Sequence, residues 1–267
     1  MHYTKKISLC VFFALVITTP ALADIAVDVS ARLLNFHYEE FDQSGETFNK
    51  ENGIIPGLSI ATSKALSNFT NTISIEAYDG QVDYDGQTQV GAPHSTNTDE
   101  TLYRLFYKLN WSPEESRFAI YGRVAWQQWN RDILSMDNVS GLFERYRWWT
   151  LEAGISAILF ENDADKWQFE LGASKVSNGT IKVDLERFGY GKPELDLGDG
   201  HGISGLLKYQ HQITYRDNIG LAVEHRYWTF GRSNSKTLSN NIETITITEP
   251  RSVTNHSIIS VNYAHYF

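Results

Sequence analysis

From Asp24 to Phe267, Thr, Val, Ile, Tyr, Phe and Trp recur at every second position, and no segment of useful length keeps a 3.6-residue period. That two-residue alternation is the strongest constraint on the fold, because it yields strands with two unlike faces and no amphipathic helices. After Ala23 no run approaches the roughly 18 apolar residues that a membrane helix requires. The chain is therefore a soluble β-protein, or a membrane barrel whose strands hide their apolarity by alternating it.

The connections decide between these. Four are short and polar, at 67–70, 112–116, 161–165 and 215–218. Five are long and rich in Gly, Asn, Asp and Ser, at about 39–53, 83–99, 130–142, 177–200 and 233–251. Long and short alternate without exception, which implies about ten strands. A soluble sandwich has no reason to sort its loops by length onto two ends. A closed up-and-down membrane barrel does so, with tight periplasmic turns and longer outer loops. The expected fold is all-β: a closed antiparallel transmembrane β-barrel of about ten strands, with both termini on the short-turn side.

The strand faces agree. In the sixth strand Trp149, Leu151, Ala153, Ile155, Ala157 and Leu159 share one face, opposite Trp148, Thr150, Glu152, Gly154 and Ser156. Gly and Ala beside charged residues suit the crowded interior of a narrow barrel. Assigning the polar faces gives an interior set of five acids (Asp28, Glu76, Glu152, Glu170 and Glu224) and six bases (Arg32, Arg104, Lys108, Arg123, Lys208 and Arg226). The signs nearly cancel, as in a salt-bridged plug, whereas a selective pore favours one sign. About ten strands also enclose little more than side chains. A narrow diffusion pore is a further alternative.

At the N-terminus Lys5 and Lys6 precede an apolar run over 7–17, then Thr18-Thr19-Pro20 and an Ala21-Leu22-Ala23 cleavage signal. Residues 1–23 read as a secretory signal peptide, leaving 24–267 as a single barrel domain. The only cysteine, Cys10, lies inside that run, so the mature chain has no disulfide, thiolate metal site or Cys nucleophile. The formal net charge is −9, and losing Lys5 and Lys6 makes it more negative, which disfavours nucleic acid.

The last strand, in which Ile259, Val261, Tyr263, His265 and Phe267 alternate to a C-terminal aromatic, resembles the terminal strand of bacterial outer-membrane proteins. The resemblance implies outer-membrane lipid and lipopolysaccharide as surroundings, and recognition of that strand by the barrel-assembly machinery through Phe267. Phe69, Trp111, Phe118, Phe160, Trp167, Tyr215 and Phe267 fit an inner aromatic girdle; Tyr38, Phe41, Trp129, Tyr146, Tyr227 and Trp228 fit an outer one.

Ten strands with Asp83-Tyr84-Asp85 entering the second long loop and Asp199-Gly200-His201 leaving the fourth are similar to the omptin outer-membrane endopeptidases. There an Asp pair faces an Asp-x-His pair across the barrel mouth. The resemblance implies His201, oriented by Asp199, as general base for a water held by Asp83 and Asp85. Asp199 and His201 depart from it by opening the eighth strand, where the family's pair ends the seventh. Solvated turn residues are the plainer reading of both motifs.

Arg145 and Arg147 follow the third long loop on the lipid-facing side, where planar guanidinium forks suit lipopolysaccharide phosphates. Asp79, Asp83, Asp85 and Gly86 begin a calcium-loop spacing, but its later ligands are missing, so no metal or other cofactor is expected. His94, His211, His225 and His256 are scattered singly. His225 faces outward, with no outward Ser evident beside it. The reading reached is an outer-membrane barrel with a largely plugged lumen and surface loops for interaction; an omptin-like or other outer-membrane hydrolase is the alternative. Oligomeric state and substrate are open.

Overall fold

A computed structural model describes residues 25–88 and 91–267, so the expected signal peptide, residues 1–23, lies outside the described residues. The strands are β1 (Ile25–Phe41), β2 (Thr47–Leu66), β3 (Phe69–Gln87), β4 (Pro93–Trp111), β5 (Phe118–Ile133), β6 (Leu142–Glu161), β7 (Asp165–Asp184), β8 (Glu194–Asp196), β9 (Gly200–Gln212), β10 (Asp217–Phe230), β11 (Ser235–Ser239), β12 (Thr244–Thr248) and β13 (Arg251–Tyr266). Ten of them form a ring in the order β6-β5-β4-β3-β2-β1-β13-β10-β9-β7, closed by pairing of β6 with β7. Every pairing is antiparallel, and β13 joins β1 along its whole length, so the cylinder has no open edge.

At one end the connections are tight; Ser67, at φ 52°, turns the two-residue link between β2 and β3. At the other end the strand limits move away from the sequence expectation. β1 runs to Phe41 and β2 starts at Thr47, while β3 runs to Gln87 and β4 restarts at Pro93. Segments expected as the first two long loops are mostly strand. Above the apolar belt, outward positions turn polar while the pairing continues, and that loss of apolar residues reads as loop. The remaining outer connections are longer and carry β8, a 3-10 turn (Glu186–Phe188) and the β11–β12 hairpin.

The exposed apolar residues form a belt: Val29 and Leu33, Ile73 and Ile75, Leu151 and Ile155, Leu221 and Val223, Ile259 and Val261 all point outward. Phe69, Trp111, Phe118, Phe160, Trp167, Tyr215 and Phe267 rim its short-turn edge, all exposed. Such a surface suits hydrocarbon, with the backbone satisfied within the closed sheet.

The inward residues of β1 give the layers of the lumen in order: Asp28, Ser30, Arg32, then Leu34, Phe36, Tyr38, then Glu40. All eleven charges expected inside line the lumen or its cavity. Asp28 meets Lys208 at 3.2 Å, Lys108 meets Glu170 at 2.5 Å, and Arg123 meets Glu152 at 3.3 Å. Glu76 is held by Arg32 and Arg226 at 2.8 Å each and by Arg104 at 3.4 Å; Glu224 pairs with Arg32 and Arg226 at 2.6 Å. Glycines make room here: a Cβ on Gly172 would lie 2.3 Å from the Tyr121 hydroxyl that donates to Glu152.

Above this layer lies a plug of Phe36, Trp129, Tyr146, Trp148, Trp228 and Phe230. Tyr38, Trp129, Tyr146 and Trp228 thus belong to the interior, at 1–9% exposure, and not to an outer girdle. The reason is parity: each shares its strand's inward face with lumen charges, as Trp228 does with Arg226. Below the charge layer a cavity of about 670 Å³ opens at the short-turn end, lined by small polar residues such as Ser30, Ser63, Thr72 and Ser260.

Candidate functional site

The omptin-like quartet does not assemble. Asp83 and Asp85 lie on β3, exposed, alternating with buried Val82 and Tyr84. β3 is still paired strand at this height, and its parity sends both carboxylates to the outer wall. There Asp85 meets Lys50 at 3.3 Å and Asp83 accepts from Asn97 at 3.2 Å. Asp199 and His201 are exposed on the far side of the ring, at the start of β9, alternating with buried Gly200 and Gly202. Both pairs point away from the mouth. Asp79, of the partial calcium-loop spacing, is also strand and accepts from Thr101 at 2.9 Å.

What occupies the mouth is a cluster that sequence reasoning missed. Arg131, fully buried, reaches Glu40 and Glu51 at 2.9 Å and Glu144 at 2.8 Å. Glu100 accepts from the Trp129 indole, and Glu249 accepts from Tyr146 at 2.7 Å. Five buried glutamates therefore surround one guanidinium. Outward neighbours at this height, such as Glu39, Asp99, Asn130 and Arg145, are polar, so the cluster stands above the apolar belt. Burial first, then the neighbouring Glu51, holds the Glu100 carboxyl well above the ordinary glutamate value of 4.5. Glu249 is raised likewise by burial and by Glu40, and Glu144 is raised by burial against the opposing pull of Arg131. The signal that finds these residues is continued parity: extending the alternation of β1 beyond Tyr38 places Glu40 inside.

Arg145 and Arg147 do lie together on the outer wall of β6, and Trp149 opens the apolar belt two residues below Arg147. β5 orients both: Asn130 Oδ1 accepts from the Arg145 Nε, and Gln128 Oε1 from the Arg147 Nε, each at 3.1 Å. The Arg145 guanidinium lies over the Phe143 ring at 5.7 Å, and among the described residues neither arginine has an ion-pair partner or a hydrogen bond at its terminal amino groups. Lys182 of β7, opposite Arg145 in register, adds a third exposed cation. Just below, β7 bulges opposite Trp148, with Asn178 at φ 52°.

No family model matches the chain, and no curated protein matches its sequence. Among solved structures it is similar to the outer membrane protease OmpT of Escherichia coli, an omptin, at 10% identity and a TM-score of 0.61, over 92% of this chain and 98% of that one. The translocator domain of the autotransporter NalP of Neisseria meningitidis aligns over 92% and 89% at 9% identity, and Neisserial surface protein A over 91% and 99% at 13%. Their TM-scores are 0.47 and 0.37. At these identities the likeness is one of fold: the chain has the fold of bacterial outer-membrane β-barrels.

Proposed function

We propose that this is a non-conducting outer-membrane barrel whose outer wall binds phosphate groups of lipopolysaccharide through Arg145 and Arg147. The observation that carries the reading is the orientation of those two side chains. Asn130 and Gln128 hold each guanidinium at its Nε, and among the described residues no hydrogen bond or ion pair engages the amino fork, which matches two phosphate oxygens. They stand just above the apolar belt, at headgroup height. The closed lumen supports the non-conducting half, because two charged layers and an aromatic layer cross it. In the same reading the barrel-assembly machinery takes up the terminal strand ending at Phe267.

The test is binding of lipopolysaccharide to the refolded barrel in detergent. The double variant R145A/R147A is expected to lose affinity by about ten- to a hundredfold, the worth of charge-assisted hydrogen bonds. Wild-type binding should also weaken as salt rises. Equal affinity in the double variant overturns the site. In planar bilayers the barrel should give no steady single-channel steps; regular openings overturn the closed lumen.

A further inference from the structure

On the far side of the barrel from the arginine pair, the outer wall places His225 of β10 directly opposite Ser257 of β13. The imidazole Nδ1 lies 3.0 Å from the Ser257 Oγ, the arrangement by which a neutral histidine activates a serine. Sequence inspection finds no serine beside His225, because the two are 32 residues apart and meet only through register.

Three features around the pair suit it to lipid. The first is height. The outward row beneath it, Leu207, Val223, Ile259 and Leu33, is wholly apolar, whereas the row above, Ile203, Tyr227, Asn255, His37 and Asn52, is mostly polar. The pair thus sits at the border between hydrocarbon and headgroups, where acyl ester bonds lie. The second is access. Beside His225 in register is Gly205 of β9, where an added Cβ would meet nothing nearer than a backbone oxygen at 3.9 Å, so a notch opens next to the ring. The third is a donor. Asn35 of β1, exposed and without a hydrogen-bond partner among the described residues, is opposite Ser257 on its other side.

We propose that Ser257 and His225 form an acyl-ester hydrolase site acting on membrane lipid, with Asn35 as oxyanion donor. The Ser257 Oγ attacks the ester carbonyl carbon while His225 Nδ1 takes its proton, which requires the tautomer protonated on Nε2. The Asn35 amide donates to the tetrahedral oxyanion. The carbon–oxygen ester bond breaks, the departing alcohol takes the proton from the imidazolium, and the acyl group remains on Ser257. Water, deprotonated by the same nitrogen, then releases the fatty acid and restores the hydroxyl. Among the described residues no carboxylate holds the Nε2 of His225, so the site is a dyad and turns over more slowly than a triad. The inference is independent of the arginine site.

The experiment uses the full refolded barrel with two substrates, phosphatidylethanolamine vesicles and lipopolysaccharide aggregates. Free fatty acid is quantified, and a fluorophosphonate reports the nucleophile without any lipid. Wild type is expected to release fatty acid from one or both substrates, and which one responds identifies the lipid. S257A and H225A should each lose at least about a hundredfold in release, and S257A should lose the label. N35A should lower kcat with little change in KM. Ser257 and His225 are outward on the wall, so the compact unboiled gel species verifies that the variants fold. Release that persists in S257A, labelling without release from either lipid, or neither in the wild type would each overturn the assignment.

Discussion

Replacing Arg131 by Met tests the outer mouth most directly. Arg131 makes three ion pairs, at 2.8–2.9 Å to Glu40, Glu51 and Glu144, and is buried beneath the mouth. Met approximates its volume without charge, so the cavity contribution stays small. What is lost is the one cation that the described residues place among five buried carboxyls, and removing one member of a buried ion network costs about 3–5 kcal/mol. The measurement is the urea midpoint of the folded gel species at pH 7.5 and again at pH 4.5. The larger loss is expected at pH 7.5, because at pH 4.5 the protons held by Glu100, Glu144 and Glu249 relieve the repulsion by up to about 1.4 kcal/mol per group and pH unit. An unchanged midpoint, or one equal loss at both pH values, would refute the idea that Arg131 neutralises the cluster.

In the wild type, Glu100, Glu144 and Glu249 keep protons that the unfolded chain releases, since their folded values lie above 4.5. The contribution of these three groups is therefore complete below pH 4.5 and falls as pH rises towards the raised folded values, by up to about 1.4 kcal/mol per group and pH unit. A urea-midpoint series from pH 4 to 9 on wild type and E100Q checks the sign: the wild-type midpoint should fall relative to that of E100Q as pH rises, and a wild type that gains on the variant contradicts it. In the lower network, E76Q leaves Arg32, Arg104 and Arg226 facing one another and should cost about 3–5 kcal/mol by the same urea assay.

Much of this is visible in the chain. Loop lengths give ten strands and an up-and-down order, and the six residues of the expected outer β6 face do point outward. At the mouth the same alternation runs further than the polar, loop-like composition suggests. β3 carries its alternation through Asp83 and Asp85, where the composition is that of a loop; Tyr38, Trp129, Tyr146 and Trp228, which suit an outer girdle by composition, share a face with lumen charges and lie inside.

The division has a physical cause. Whether a side chain faces the lumen depends on its own strand alone, since the pleat repeats every two residues; that is why Asp28, Arg32, Glu76 and Arg226 could be placed inside from their neighbours. Which residues then meet depends on the stagger between strands and on closure of the ring, neither of which any single strand encodes. Glu76 and Arg226, 150 residues apart, pair across the lumen, and Ser257 faces His225 across the β10–β13 ladder. Each strand's own alternation sets its faces; closure of the cylinder sets the partners.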